Sequence, residues 1–301
     1  MHFASAINAL AHRMPGLRFH PDGAARLERK LDFSLETRER LLSGEILPEA
    51  QRHCAAGFNP LGEARELYLV GERDDALWLH FIATMFGWDR PDSADRFLRS
   101  LGAGERASWA YVRDHAAEAL ARVTGESSAL MKEAPFGNHR KYETHRGDRS
   151  SARVVGSFMT WARPAPAARV DRTIAGASTP ERAFDCLYHA FDVYRFGRTA
   201  RYDFVRLLAS VDRRLRPGSC FLRGASGPRR AAALLFLGRS WARDSEVASL
   251  EEGLRELAGA CGIDLTVVED AICQWQKAIP SSDRRPREAQ LTLELKAGLA
   301  Q

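Results

Sequence analysis

The sequence predicts an all-α protein built from two packed helical lobes. Three observations indicate this fold: apolar residues recur at helical spacing over most of the chain, helix-capping residues precede several of these stretches, and glycine or proline separates them. A chain of 301 residues, 45% of them hydrophobic, is long enough to bury such a core. We place an N-terminal lobe at residues 1–161, a C-terminal lobe at 180–279 and a loosely ordered tail at 280–301.

Apolar stripes predict the helices of the first lobe. Residues 24–42 carry Leu27, Leu31, Leu35 and Leu41 near one side, with charged residues between them. A second stretch, residues 74–86, begins with acidic residues, which suit a helix N-terminus, and is then almost wholly apolar up to Gly87. We also predict helices at 92–101 and 105–123 in this lobe.

The chain changes character at Pro135. Residues 136–153 are polar and basic, and the apolar run 154–161 suggests a short extended segment. The proline-containing stretch 163–169 and the small-residue stretch 176–180 indicate a linker or exposed loop. We therefore place the boundary between the lobes here.

The second lobe begins with a helix-start signal, in which Thr179 is an N-cap and Pro180 occupies the first helical position. Helical spacing continues from there almost to the end of the chain. The helices predicted in this lobe are 181–194, 199–211, 228–237, 246–261 and 266–278.

Composition predicts a soluble cytoplasmic protein. Residues 1–17 lack the apolar core of a secretory leader, and later residues contain no apolar run long enough to cross a membrane. The five cysteines are odd in number and scattered, and none forms a C-x-x-C pair, so neither a disulfide framework nor a zinc site is expected.

Charge is sorted along the chain. The formal net charge is +5, but residues 136–240 hold 20 Lys and Arg against 8 Asp and Glu, whereas the remainder holds 24 against 31. We interpret the basic region as an anion-binding surface that suits nucleic acid or another phosphate-rich ligand. A solvated basic face is the alternative.

The first motif with functional chemistry is PFGNHRKYE, residues 135–143. Its glycine turn crowds polar and charged side chains together, and adjacent cations are costly unless they are solvated or face an anion. A solvated basic turn would explain the motif equally well. The candidate residues are His139, Arg140, Lys141, Tyr142 and Glu143.

The second motif is YRFGRTARYDF, residues 194–204. Gly197 precedes a helix on which Arg198 and Arg201 share a face, so two guanidinium groups and backbone N–H groups can converge on one anion. Tyr202 and Asp203 follow directly. For Asp203, a purely structural pairing with a nearby arginine is the alternative.

The third motif is LRGASGPRRAAALLF, residues 222–236. A glycine turn before an alanine-rich helix resembles a helix-hairpin-helix module, and Gly224, Gly227, Arg229 and Arg230 are its candidate DNA contacts. Two residues separate these glycines, where the usual hairpin has one, so a generic turn before a core helix remains the alternative. The segment has no lysine to form a Schiff base.

The fourth motif is EDAICQWQK, residues 269–277. Trp275 could stack on a base, and Lys277 could contact nucleic acid. Core packing is the alternative for Trp275 and for Cys273.

In this order, the four motifs resemble the alpha-glutamyl/putrescinyl thymine pyrophosphorylase family, with clade 3 as the candidate branch, over residues 74–277. The resemblance implies an all-α enzyme that modifies a base already in DNA. An amine, either an amino acid or a polyamine, attacks pyrophosphorylated 5-hydroxymethyluracil, and pyrophosphate leaves. The implied partners are DNA and a small amine. No cofactor or protein-bound metal is expected, although a divalent metal can accompany the pyrophosphate.

The resemblance also suggests roles for the residues of the four motifs. The expected pyrophosphate contacts are Arg140, Lys141, Arg198 and Arg201. The expected general base is Glu143, Asp203 or His139. The expected contacts to the nucleic acid are Tyr142 and Tyr202, which would stack on the displaced base, together with Gly224, Gly227, Arg229, Arg230, Trp275 and Lys277.

Three other functions fit the same residues. A helical DNA- or RNA-binding protein without catalysis would use the same charges and glycine turns. A helix-hairpin-helix base-excision glycosylase would need an activating aspartate, for which Asp244 is the nearby candidate. In a purely structural helical protein the arginines would be surface residues. Clustering of Arg140, Glu143, Arg198 and Arg201 in one concave site would favour the transferase.

Overall fold

The computed structural model describes residues 3–46, 48–54, 57–137, 140–277 and 279, and over these ranges the fold is all-α, as predicted. The described residues form no β-strand, and their one isolated bridge joins Gly102 to Glu105. In chain order the α-helices are α1 (Ala4–Leu10), α2 (Gly23–Ser43), α3 (Pro48–Gln51), α4 (Pro60–Leu69), α5 (Arg73–Phe86), α6 (Pro91–Leu101), α7 (Trp109–Asp114), α8 (Ala116–Gly125), α9 (Ser127–Glu133), α10 (Ser151–Trp161), α11 (Pro166–Ile174), α12 (Pro180–Ala190), α13 (Arg198–Ala209), α14 (Ser226–Leu237), α15 (Val247–Cys261) and α16 (Leu265–Lys277).

The chain forms two compact units. Within the described residues, the terminal unit combines 3–38 with 218–277 and 279, and the middle unit comprises the described part of 39–217. These units differ from the predicted lobes 1–161 and 180–279. Helical periodicity shows which side of a helix is buried, but it does not show which distant segment covers that side. The predicted tail at 280–301 lies outside the described residues.

The leucines of α2 show why the division falls within this helix. Leu27 and Leu31 are fully buried in the core of the terminal unit, and Leu35 packs against the same core. Leu41, near the end of the helix, instead packs in the middle unit against a cluster that contains Leu207. One amphipathic helix therefore contributes to both cores.

The middle unit has an aromatic core. Helix α5 is buried along nearly its whole length, as its apolar sequence predicts. Phe81 of α5 stacks on Phe158 of α10 with 4.0 Å between ring centroids. Phe191 likewise stacks on Phe204 of α13 at 4.1 Å. These contacts place α5, α10 and α13 around one apolar interior, which supports the site described below.

Two sequence interpretations around the middle of the chain were wrong. The segment 154–161 is not extended but belongs to α10, whose Ser150 cap accepts a hydrogen bond from the Arg153 amide at 3.4 Å. The stretch 163–169 is not wholly a linker, because α11 begins within it and buries Val170. In both cases local β-branched or proline-rich composition was outweighed by burial of a helical face.

Other local predictions were confirmed. Thr179 caps α12 by accepting from the Arg182 amide at 3.2 Å, and Pro180 is its first residue. Gly87 ends α5 with a φ of +97°, a conformation that favours glycine. The single helix predicted at 105–123 was only partly correct, because the helical residues begin at Trp109 and are divided at His115 into α7 and α8. Within the described ranges, no helix has both the length and the apolarity that a membrane span requires.

Candidate functional site

The first motif forms a turn against the end of α5 in the middle unit. The Gly137 amide donates to the Phe86 carbonyl at 2.6 Å. A side chain at position 137 would collide with this carbonyl, because a Cβ there would lie 2.8 Å from the oxygen, and it would also meet the Asp89 carboxylate. The close approach of the two backbones therefore fixes where the basic residues after Gly137 begin.

The first and second motifs meet through an ion pair. Both Glu143 oxygens accept from Arg195, one from Nε and one from Nη2, each at 3.1 Å. This two-point contact joins residues 52 positions apart in the sequence. We use the name arginine site for Glu143 together with the arginines of these two motifs, which are Arg140, Arg195, Arg198 and Arg201.

Arg140 is the buried member of the arginine site, with only 8% of its surface exposed. Its guanidinium lies 4.9 Å from the centroid of the Phe196 ring, and its Nε donates to the Met85 carbonyl at 3.4 Å. Burial lowers the pKa of Arg140, while the negative charges of Glu143 and Asp203 oppose that shift. The expectation that Arg140 grips phosphate at the surface therefore needs correction, since this side chain lies beneath it.

Glu143 is the only carboxylate among the five members of the arginine site. Besides the pair with Arg195, its Oε1 lies 4.0 Å from Arg140 Nη2. Because Arg195 holds both of its oxygens, the Glu143 carboxylate has a fixed orientation. The geometry therefore favours an orienting role for Glu143 over the expected role of general base.

Arg198 and Arg201 lie in the first turn of α13, as the sequence predicts. Arg201 Nε donates to the Phe196 carbonyl at 2.8 Å, and its Nη2 donates to Asp192 at 3.1 Å. Burial raises the pKa of Tyr188, and the positive charges of both arginines oppose that shift. Arg198 and Arg201 therefore both lie near the Tyr188 hydroxyl group.

Phe196 connects the two parts of the arginine site. Its ring lies beneath Arg140, and its carbonyl holds Arg201. The same short loop carries Arg195 and leads directly into Arg198. Phe196 thus contacts two of the four guanidinium groups, Arg140 through its ring and Arg201 through its carbonyl.

Residues 29–282 match the model of alpha-glutamyl/putrescinyl thymine pyrophosphorylase clade 3. The chain therefore belongs to this family. Comparisons with curated proteins and with solved structures find no match. The matched range contains the whole arginine site and all four motifs on which the resemblance was based.

Other candidate residues of this thymine pyrophosphorylase family member lie close by in the sequence. Asp203 pairs with Arg206 at 2.9 Å, which is the structural alternative given above. Tyr202 is 1% exposed and packs between Phe184 and the guanidinium of Arg198. The expectation that Tyr202 stacks on a base is therefore not met in this structure, because protein atoms already cover its ring.

The exposed end of the first motif differs from its buried end. Tyr142 is 75% exposed, and the Lys141 ammonium lies 5.2 Å from its ring centroid. Both side chains can therefore be reached by a large ligand such as DNA. His139, a candidate general base, lies outside the described residues.

The glycine turn of the third motif lies in the terminal unit. Gly227 is in the first turn of α14, and its carbonyl accepts from Gln276 Nε2 at 3.0 Å. Arg229 pairs with Asp244 at 2.7 Å. Arg230 is exposed. Because Asp244 is engaged with Arg229, its role in this structure is structural rather than that of a glycosylase aspartate.

The fourth motif contributes mainly to the core of the terminal unit. Trp275 is fully buried, and its Nε1 donates to the Gly23 carbonyl at 3.2 Å. The prediction that Trp275 contacts nucleic acid is corrected accordingly, because a buried indole cannot stack on a base. Lys277 is exposed, and its ammonium lies 3.4 Å from the Gln274 side-chain oxygen.

The sequence did not single out Arg195, although this residue stands inside the second motif. Its partner Glu143 is far away along the chain, so no fixed spacing signals the pair. Its backbone conformation also gives no sequence signal, because φ is +66° at a residue that is not glycine. Within the described residues, no three His, Cys, Asp or Glu side chains group as a metal-binding set, and a metal that accompanies the pyrophosphate remains a prediction.

Proposed function

We propose that this chain uses an amine to displace pyrophosphate from pyrophosphorylated 5-hydroxymethyluracil in DNA. A bond forms between the amine nitrogen and the methylene carbon on the base, while the bond from that carbon to the diphosphate oxygen breaks. The amine loses one proton, and the diphosphate leaves with the electron pair. Membership of the pyrophosphorylase family supports this reaction.

The observation that carries the proposal is the number of arginines where the first and second motifs meet, with Arg140 and Arg195 at Glu143 and with Arg198 and Arg201 near Tyr188. Negative charge grows on the diphosphate as it leaves, and fixed cations stabilise that charge more strongly in the transition state than in the substrate. Arg198 and Arg201 are the proposed contacts, with Lys141 at the exposed edge. Arg140 holds positive charge behind them, because burial against Phe196 fixes its position.

Two further parts of the reaction need other residues. The modified base must leave the helical stack to be reached, and the exposed ring of Tyr142 is suited to stack on it. Arg230 and Lys277 on the terminal unit are suited to contact DNA phosphates without reading sequence. For the proton of the amine, we propose His139 or Asp203 as the acceptor. Asp203 pairs with Arg206 at 2.9 Å, so it would accept the proton on a lone pair that this ion pair leaves open, whereas both oxygens of Glu143 are held by Arg195.

The reaction can be tested directly with purified protein. Duplex DNA that carries the pyrophosphorylated base would be incubated with glutamate, putrescine or no amine, and pyrophosphate release and the mass of the base would be measured. We expect release that depends on the amine, together with a base whose mass has increased by the amine and decreased by the diphosphate. DNA with unmodified thymine is the control. Binding of DNA without release in any mixture would instead identify a binding protein without this activity.

A further inference from the structure

Arg195 has a backbone conformation that L-residues rarely adopt. Its φ of +66° places it in the left-handed region, although it carries a long side chain. Such a conformation costs free energy, persists only when the surroundings enforce it, and is concentrated at functional sites. The backbone turn around Arg195 is closed by hydrogen bonds from the Phe196 amide to the Val193 carbonyl at 3.0 Å and from the Gly197 amide to the Arg195 carbonyl at 3.1 Å. From this turn the Arg195 side chain makes its two-point pair with Glu143.

The pair leaves part of the Arg195 guanidinium available. Nε and Nη2 face Glu143, and Nη1 makes no hydrogen bond to any of the described residues. The side chain is 29% exposed, so a ligand can reach it from solvent. An arginine held by a carboxylate on one edge can present its remaining N–H groups in a fixed direction.

The arginine site also holds more positive charge than is needed to pair with Glu143. Glu143 carries one negative charge, yet both Arg195 and the buried Arg140 lie next to it. Arg140 Nη2 is buried and has no hydrogen-bond partner among the described residues. The charge of Asp203 also acts on Arg140, but Asp203 is paired with Arg206 at 2.9 Å. Three arginines therefore face two carboxylates, and an anion would balance the excess positive charge.

We propose that Arg195 is a third guanidinium contact to the diphosphate, beside Arg198 and Arg201, and that Glu143 is its positioning residue. Arg140 supports Glu143 from behind and does not touch the substrate. The inference rests on the function proposed above and makes it more specific, because it assigns Nη1 of Arg195 as a donor to the leaving diphosphate. Glu143 then acts through Arg195 and not as a base.

Binding of inorganic pyrophosphate to the full chain tests this role without requiring the reaction. Isothermal titration would compare the wild type with Arg195→Ala, Arg195→Lys and Arg96→Ala. Arg96 is an exposed arginine of the middle unit outside the arginine site, so its variant controls for loss of one positive charge. We expect Arg195→Ala to weaken affinity by about 10- to 100-fold, the effect of losing a charge-assisted contact. Arg195→Lys should recover only part of this, and Arg96→Ala should match the wild type.

A double-mutant cycle tests the positioning role of Glu143. If Glu143 acts through Arg195, Glu143→Gln weakens pyrophosphate binding in the wild type but adds little when Arg195 is already alanine. Thermal unfolding of each variant would be measured in parallel. If Glu143→Gln does not fold, Glu143→Asp replaces it in the cycle. Aspartate keeps the negative charge near Arg140, but its shorter side chain moves the carboxylate away from Arg195. We expect it to weaken pyrophosphate binding in the wild type and to add little when Arg195 is alanine.

The outcomes separate the two proposals. If the wild type does not bind pyrophosphate, the diphosphate site itself is absent, and the proposed function loses its main support. If the wild type binds pyrophosphate and Arg195→Ala binds it equally well, the inference about Arg195 is wrong while the proposed function stands. Equal and additive effects of the Glu143 variant in both backgrounds would show that Glu143 does not act through Arg195.

Discussion

Two arginine-containing motifs that look alike in the sequence are built very differently in the structure. In the terminal unit, the turn before α14 is satisfied internally: Glu251 accepts from the amides of Cys220 and Leu222 at 2.8 and 2.7 Å, and Arg229 pairs with Asp244. In the middle unit, Glu143 lies next to two guanidinium groups, those of Arg195 and Arg140, and Arg140 Nη2 has no hydrogen-bond partner among the described residues. The comparison teaches that two arginine-containing motifs with similar sequences can differ in whether their charges and polar groups are satisfied within the protein.

The largest expected effect concerns the arginine site. Replacing Arg198 and Arg201 together by alanine should lower the rate of pyrophosphate release by about 10³-fold, because fixed donors to a developing anion contribute this order of magnitude. The rate would be followed by release of pyrophosphate from modified DNA. Arg96→Ala is the charge-matched control. If the double variant keeps the wild-type rate, the middle unit has no catalytic advantage over the terminal unit, and the comparison fails.

The opposite effect is expected in the terminal unit. Glu251→Ala should lower the free energy of unfolding by about 3–5 kcal/mol, because two buried amides lose a charged acceptor. Denaturant titration would measure it. Glu252→Ala is the matched control, since Glu252 is exposed and pairs with Arg255 on the surface, where a pair contributes little. Equal stability of the two variants would show that Glu251 does not stabilise the turn before α14.

Acid should weaken the middle unit through His80. Burial lowers the pKa of His80 to about 4, against 6.5 in an unfolded chain, so the unfolded state binds more protons between these values. The free energy of unfolding should therefore fall as pH decreases from about 6.5 to 4, by about 3 kcal/mol in total. Burial lowers the pKa of His145 in the same direction. His80→Leu should flatten the pH dependence measured by denaturation, and an unchanged slope would count against this assignment.

A smaller effect is expected at the exposed edge of the first motif. Tyr142→Ala should weaken binding of DNA that carries the modified base by about tenfold, the usual contribution of one stacked ring. Fluorescence anisotropy would measure the affinity. Tyr111→Ala, on α7 of the same unit, is a control for loss of a tyrosine elsewhere. Identical affinities of the two variants would leave Tyr142 without a role in recognition.

The smallest expected effect concerns Trp275, whose ring is buried, in contrast to the exposed ring of Tyr142. Trp275→Phe should cost about 1–2 kcal/mol of stability, from the lost hydrogen bond to Gly23 and some lost packing, and should not change DNA affinity. Denaturation and anisotropy would be measured on the same sample. A loss of affinity without a loss of stability would restore Trp275 as a nucleic-acid contact.

Much of the fold follows from the sequence because its signals are local. The apolar run of α5, the Thr179 cap and the placement of Arg198 and Arg201 three residues apart in the first turn of α13 depend only on neighbouring residues. Helix α10 was missed because two adjacent valines favour a strand locally. Its buried residues nevertheless lie at helical spacing, at positions 154, 155, 158 and 161.

The parts that the sequence could not predict depend on distant contacts. Nothing local shows that Leu27 and Leu41, on one helix, enter different cores. The pair between Glu143 and Arg195 likewise exists only after folding brings two loops together, so Glu143 was interpreted as a base and Arg195 was overlooked. Burial of Tyr202 and Trp275 also depends on tertiary packing, which a single sequence does not specify.

The close contact of Gly137 with the end of α5 limits which residues the chain can accept at this position. Any substitution there collides with the Phe86 carbonyl, whereas Gly227 has open space around it and a helical backbone. A library covering every glycine should therefore be depleted at position 137 and tolerant of alanine at 227. We therefore expect glycine to be retained at position 137 and other small residues to be accepted at position 227 as the sequence evolves.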